Sequence, residues 1–164
     1  MGDHVASTAR GTPEPAGREK VVFLFDLDGG VGEAAAKRSL ELLKECVALI
    51  VRTKARMRPD HQYALLVLLE SAVLYSDFTT DASSFLQQVM QLTSSEPFPT
   101  LDMSSCYQAL LDLRHAPDWQ DTDTLRAILL YTRHSTIPSF GGGDSAWIQL
   151  SSDISFYLDT LYVR

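Results

Sequence analysis

The run Val21-Val22-Phe23-Leu24-Phe25 contains no polar residue, stops at Asp26 and passes into Asp-Leu-Asp-Gly-Gly-Val-Gly-Glu. Short unbroken apolar runs rich in β-branched and aromatic residues read as strands buried on both faces. Such a strand belongs in the middle of a sheet covered by helices, so the chain must supply helices for both sides. From Ala34 to Met57, Leu40, Leu43, Val47 and Ile50 recur at helical spacing, with Leu42, Cys46 and Leu49 widening the apolar arc. Pro59 ends that helix, because proline lacks the N–H needed to continue the ladder.

Residues 61–70, HQYALLVLLE, read as a second buried strand, and 72–77, AVLYSD, follow too closely for a helical crossover. An antiparallel hairpin at the sheet edge is therefore expected. Asp81 is placed to cap a helix through Leu92, with Phe85, Val89 and Leu92 on one face. A further helix over 103–114 carries Cys106, Leu110 and Leu113. Residues 124–133 read as a third buried strand, 144–151 as a short helix and 154–163 as a last strand. The alternation predicts an α/β fold of Rossmann type: an open, mostly parallel sheet with one antiparallel edge strand and helices on both faces. Residues 1–19, rich in Gly, Pro, Ala and Thr, read as a flexible tail ahead of a domain spanning 20–164.

Composition narrows the function classes. The chain of 164 residues carries 14 Lys and Arg against 21 Asp and Glu, a net charge of −7. No whole-surface footprint for a phosphate backbone exists, so nucleic acid is not an expected partner. No apolar run approaches the roughly 18 residues of a membrane span, and the first 20 residues lack the apolar stretch of a secretory signal. Cys46 and Cys106 have no ligand-type spacing and read as buried thiols in a reducing compartment. The cations Arg52, Lys54, Arg56 and Arg58 read as a solvated last helical turn, favoured by the helix dipole, or as a patch for an acidic partner.

The strand-end motif carries the chemical possibilities. An apolar strand ending in Asp26-Leu27-Asp28 resembles the first motif of haloacid-dehalogenase phosphatases, in which Asp26 would accept the phosphoryl group, Asp28 would act as acid and base, and magnesium would neutralise both. Thr132 could serve as that family's second-strand hydroxyl. Yet Gly30 stands where the motif wants threonine, and no lysine follows Lys54. The von Willebrand A fold uses the same position to hold a divalent ion with an Asp-x-Ser-x-Ser loop. Here those positions are Asp26, Asp28 and Gly30, and the third-strand end presents Thr132 and Arg133 instead of a carboxylate. The site reads as degenerate, with no metal expected and Arg133 or backbone N–H groups stabilising the carboxylates. His4, His61, His115 and His134 are scattered and read as surface or loop residues; Ser104 and Ser105 lack a nucleophile elbow. The loop Gly141–Gly143 reads as a connection. No catalytic residue and no cofactor is expected.

Several runs together, 49–68 (LIVRTKARMRPDHQYALLVL), 76–92 (SDFTTDASSFLQQVMQL), 125–140 (LRAILLYTRHSTIPSF) and 156–163 (FYLDTLYV), resemble the MERIT subunit of the BRISC and BRCA A deubiquitinase complexes. The resemblance covers about residues 20–164 and is densest around Val51–Lys54 and Tyr131–Arg133. It implies a von Willebrand A-like domain with a degenerate metal site and a non-catalytic scaffold role. It also implies docking on a BRE-like adaptor and, through it, on a JAMM metalloprotease and its pseudo-enzyme scaffold, in cytoplasm and nucleus. No membrane or direct nucleic-acid contact is implied. Members of that family continue past the strand ending near Val163, so the domain is expected to be incomplete there. Apolar surface left open by such an ending makes Trp147, Tyr157 and Tyr162 the candidate partner-binding residues.

Overall fold

In the computed structural model, which describes residues 17–28, 32–133 and 137–163, the apolar run forms β1 (Glu19–Asp26). It is followed by α1 (Glu33–Met57), β2 (Gln62–Leu68), β3 (Ala72–Thr79), α2 (Ala82–Gln91), α3 (Met103–Arg114), β4 (Thr124–Tyr131), α4 (Ser145–Ser151) and β5 (Phe156–Tyr162). The strands form one sheet in the order β3-β2-β1-β4-β5. β1 pairs in parallel with β2 and β4, β4 pairs in parallel with β5, and only β3 runs antiparallel, against β2. The buried run thus sits at the centre, as its lack of polar residues requires, and the hairpin lies at the edge.

Alternation along the strands divides the core into two layers. Val21, Phe23 and Phe25 of β1 with Tyr63, Leu65 and Val67 of β2 face α1 and α2, where Leu43, Val47, Val51, Phe85 and Val89 close over them. Val22 and Leu24 with Ala64, Leu66 and Leu68 face α3 and α4, meeting Cys106, Leu110, Ala146 and Leu150. Asp81 and Asp102 cap α2 and α3 through hydrogen bonds from Ser84 N and Ser104 N, at 2.9 and 3.0 Å.

Several expectations need correction. The apolar arc of α1 is narrower than its sequence suggests: Leu42 and Leu49 point outward, at 47% and 69% exposure, because Val51 and Lys44 occupy the inner face. Cys106 is buried but Cys46 only partly so. His61 is no surface residue; it is buried, and its Nδ1 accepts a hydrogen bond from Glu19 N at 2.9 Å. The third strand ends at Tyr131, which releases Thr132 and Arg133 to turn inward. Of the expected tail, Arg18 pairs with Asp123 and Glu19 opens β1, while residues 1–16 lie outside the described residues, as do Gly30 and His134.

Candidate functional site

In an open parallel sheet, ligands bind beyond the carboxyl ends of the strands, where the loops of neighbouring strands meet. β1 delivers Asp26 to that edge, and parallel pairing brings β4 alongside, so that Thr132 and Arg133 follow directly next to it. The Asp26 carboxylate is 2% exposed. Its Oδ2 accepts from Thr132 N at 3.0 Å, Thr132 Oγ1 at 3.2 Å and Arg133 N at 3.2 Å. Its Oδ1 accepts from Asp28 N at 3.3 Å and from the Arg133 guanidinium Nε at 3.0 Å. A buried carboxylate requires this saturation, since each oxygen left without donors would carry an uncompensated desolvation cost.

Arg133 is buried almost as deeply, at 4% exposure. Besides Asp26, its Nη1 donates to Thr100 O at 2.9 Å and its Nη2 to Leu68 O at 3.4 Å and to Leu69 O. Asp28 Oδ2 lies 3.7 Å from Nε and accepts from Phe98 N at 3.1 Å. One side chain therefore joins the ends of β1 and β2 to the segment leading to α3. Among the described residues, the cavity beside Asp26 measures about 10 Å³ and is lined by Asp26, Leu27, Asp28, Ala36, Leu40, Ser94 and Thr132. That volume admits at most a water molecule.

The arrangement does not fit a divalent ion. A hard cation wants several converging oxygens, whereas here a guanidinium stands against both carboxylates and five donors already converge on Asp26. Among the described residues, no group of three or more His, Cys, Asp or Glu side chains is placed to hold a metal. The phosphatase constellation is no better assembled. Thr132 does reach Asp26, but it donates to the oxygen a phosphoryl acceptor would need free, and the last lysine, Lys54, is bound to Glu19 at the opposite end of β1.

The structure separates the aromatic candidates. Trp147 is half-buried on the α3 side, with its ring centroid 4.9 Å from that of Tyr107 and 6.4 Å from that of Phe156. Tyr162 is exposed on the same side, 6.1 Å from Tyr131. Tyr157 is exposed on the other side, beneath the Arg126 guanidinium at 5.0 Å.

The basic run also divides. Lys54 pairs with Glu19 and Arg58 with Asp60, whereas Arg52 and Arg56 stay exposed. Burial would raise the Glu19 pKa, but the Lys54 hydrogen bond and the charges of Lys54 and Arg126 outweigh it and hold the carboxyl below its usual value. Sequence reasoning also missed Lys20, which is fully buried with its ammonium 2.7 Å from Asp118 and over the rings of Phe78 and Trp119 at 4.8 and 5.2 Å. A lysine opening an apolar run was the available signal. The Phe98 amide and Thr100 carbonyl were missed as well, because backbone groups leave no trace in sequence.

Proximal thread matrix protein 1 from the mussel byssus superposes with a TM-score of 0.71 over 88% of this chain and 38% of that one, at 7% identity. BatB from Bacteroides thetaiotaomicron superposes with a TM-score of 0.62 over 89% of this chain and 66% of that one, at 13% identity. The chain has a von Willebrand A-like fold. In sequence, this von Willebrand A-like domain is 21% identical over 159 residues to BRISC and BRCA1-A complex member 1 of Danio rerio. That match takes in 89% of the chain but only 42% of the relative's length. No family model matches.

Proposed function

We propose that this domain is a non-catalytic scaffold subunit of a deubiquitinase assembly, docking on a BRE-like adaptor and thereby supporting a JAMM metalloprotease in ubiquitin signalling and the DNA-damage response. One observation carries the non-catalytic half of this reading. The strand end at which this fold class does its chemistry is filled by the protein's own cation, Arg133, 3.0 Å from Asp26. A nucleophile or metal ligand needs free lone pairs, and Asp26 has spent its own on five donors. The assembly half is supported by the likeness to a BRISC and BRCA1-A complex member. On this reading the chain works in cytoplasm and nucleus.

The test is co-expression of the full chain with the BRE-like adaptor and the JAMM subunit. Co-elution in size-exclusion chromatography is expected, with ubiquitin-chain cleavage that persists longer on heating than without the chain. The opposing result is a chain that elutes alone and hydrolyses a phosphate monoester with magnesium, in a reaction that disappears in Asp26→Asn.

A further inference from the structure

A groove runs between the C-terminal half of α1 and the outer side of α2. It measures about 590 Å³ and is floored by Ala55, Ala82, Leu86 and Met90, with Arg52 and Arg56 along one rim. Among the described residues, none that lines it is acidic. Met90 is 45% exposed although it is a large apolar side chain. Among the described residues, Arg52 and Arg56 are the members of the basic run with no carboxylate partner, since Lys54 and Arg58 are committed to Glu19 and Asp60. Lys44 links the two helices beyond Met90, donating to Met90 O at 3.2 Å and to Glu41 at 2.9 Å. The groove is thus apolar in its floor and locally cationic, on a chain whose net charge is −7.

We infer that this groove receives an acidic amphipathic helix from a partner protein. Its apolar side chains would lie on Leu86 and Met90, and its carboxylates would meet Arg52 and Arg56. Charge decides between occupants. A second copy of this chain would bring a predominantly acidic surface but would also have to bury its own identical cationic rim, whereas an acidic helix complements floor and rim together. The spacing fits. Arg52 and Arg56 are four residues apart and so lie on one helical face, matching carboxylates at i and i+4 of a facing helix. The ten residues of α2 give a floor about 15 Å long, room for nearly three turns. The groove between α3 and α4 lacks this feature, because its arginine, Arg114, is already paired with Asp153. This inference deepens the scaffold reading by naming the kind of segment received, and the measurement below succeeds or fails regardless of which complex recruits the chain.

The probe is a fluorescein-labelled synthetic helix of about 16 residues, long enough to hold helical structure when seated, with leucine on one face and glutamate flanking it. A counterpart carries lysine for every glutamate. Fluorescence anisotropy with the full chain should show binding of the acidic peptide at least about tenfold tighter than the lysine peptide, weakening several-fold as salt rises past the screening range. Arg52→Glu with Arg56→Glu should reverse the preference, while circular dichroism stays unchanged and melting temperature falls by only a few degrees, because both side chains are exposed and the reversal opposes only the dipole at the end of α1. Met90→Gln, which removes apolar floor without adding charge, should weaken the acidic peptide several-fold. Equal binding of both peptides, or acidic-peptide binding that ignores the double reversal, would overturn the inference. So would sedimentation showing a wild-type dimer that the double reversal dissociates, which would assign the groove to self-association.

Discussion

Replacing Arg133 by alanine tests whether the protein's own cation stands where this fold class places a metal. The variant removes the Nε bond to Asp26 and the ties to Thr100, Leu68 and Leu69. Asp26 would keep Thr132 N, Thr132 Oγ1, the backbone N of residue 133 and Asp28 N. Breaking a buried ion pair by removing one partner costs about 3–5 kcal/mol. The four remaining donors put the expected cost near the lower end, about 3 kcal/mol. For a domain of this size that corresponds to a fall in melting temperature of about 6–12 °C. The vacated space would leave two carboxylates facing one another without a cation. Magnesium at about 10 mM, binding with a Kd of about 1 mM, should restore about 1.4 kcal/mol to the variant and nothing to the wild type. Thermal melts followed by circular dichroism, with and without magnesium, provide the measurement. A cost below about 1 kcal/mol would place the pair among weak surface contacts, and equal magnesium stabilisation of both proteins would mean that Arg133 does not stand in the cation's place. Either result refutes the reasoning.

Burial, with the charges of Lys54 and Arg58, lowers the His61 pKa below its ordinary 6.5, against the opposing pull of Glu19 and Asp60. The folded state therefore binds its proton less readily than the unfolded chain, so the contribution is complete above pH 6.5 and is lost as pH falls through the lowered folded value. Urea midpoints measured from about pH 8 down to pH 5 should fall with that sign, and His61→Gln should flatten the slope. Burial pushes the Cys106 thiol up to about 12, whereas Cys46 is only partly covered. Iodoacetamide followed by mass spectrometry should therefore label Cys46 first, and Cys106 only when the chain unfolds. Trp147→Ala should cost about 3 kcal/mol, since its ring packs on Tyr107 and Phe156. Tyr162→Ala should cost about 1 kcal/mol or less, with its ring exposed beside Tyr131. Chemical denaturation separates the two, and only the Tyr162 variant is then a clean probe of adaptor binding.

The central place of β1 and the antiparallel edge were legible because Val21–Phe25 is apolar on both faces and Ala72 follows β2 too closely for anything but a hairpin. Periodicity was less informative on α1. Leu42 and Leu49 satisfy a helical pattern yet face outward, since spacing alone cannot say how wide an arc the sheet covers. At the site, Asp26 and Asp28 were visible as a short motif. The role of Arg133 came from resemblance and from the expected strand end, because residues 107 apart meet only through the parallel pairing of β1 and β4. The burial of His61 was not legible, as a histidine in the loop between α1 and β2 gives no sign that the Glu19 amide will need its Nδ1.

Exchanging a metal for a guanidinium alters what the strand end can do. A bound cation can keep a coordination position for an incoming acidic group, and so can couple ligand capture to movement of the surrounding loops. A guanidinium only donates, and that of Arg133 is directed at Asp26, Thr100, Leu68 and Leu69, all within the same chain. The ends of β1 and β2 and the segment before α3 are thereby held together continuously, with about 10 Å³ left beside Asp26 among the described residues. Recognition by such a domain has to move away from the strand ends to surfaces on which charge and apolar area remain unspent. On α1 and α2 those are Arg52, Arg56, Leu86 and Met90. The two regions are separable experimentally: Arg133→Ala should lower stability markedly without changing which peptide is preferred, and Arg52→Glu with Arg56→Glu should change the preference at only a small cost in stability.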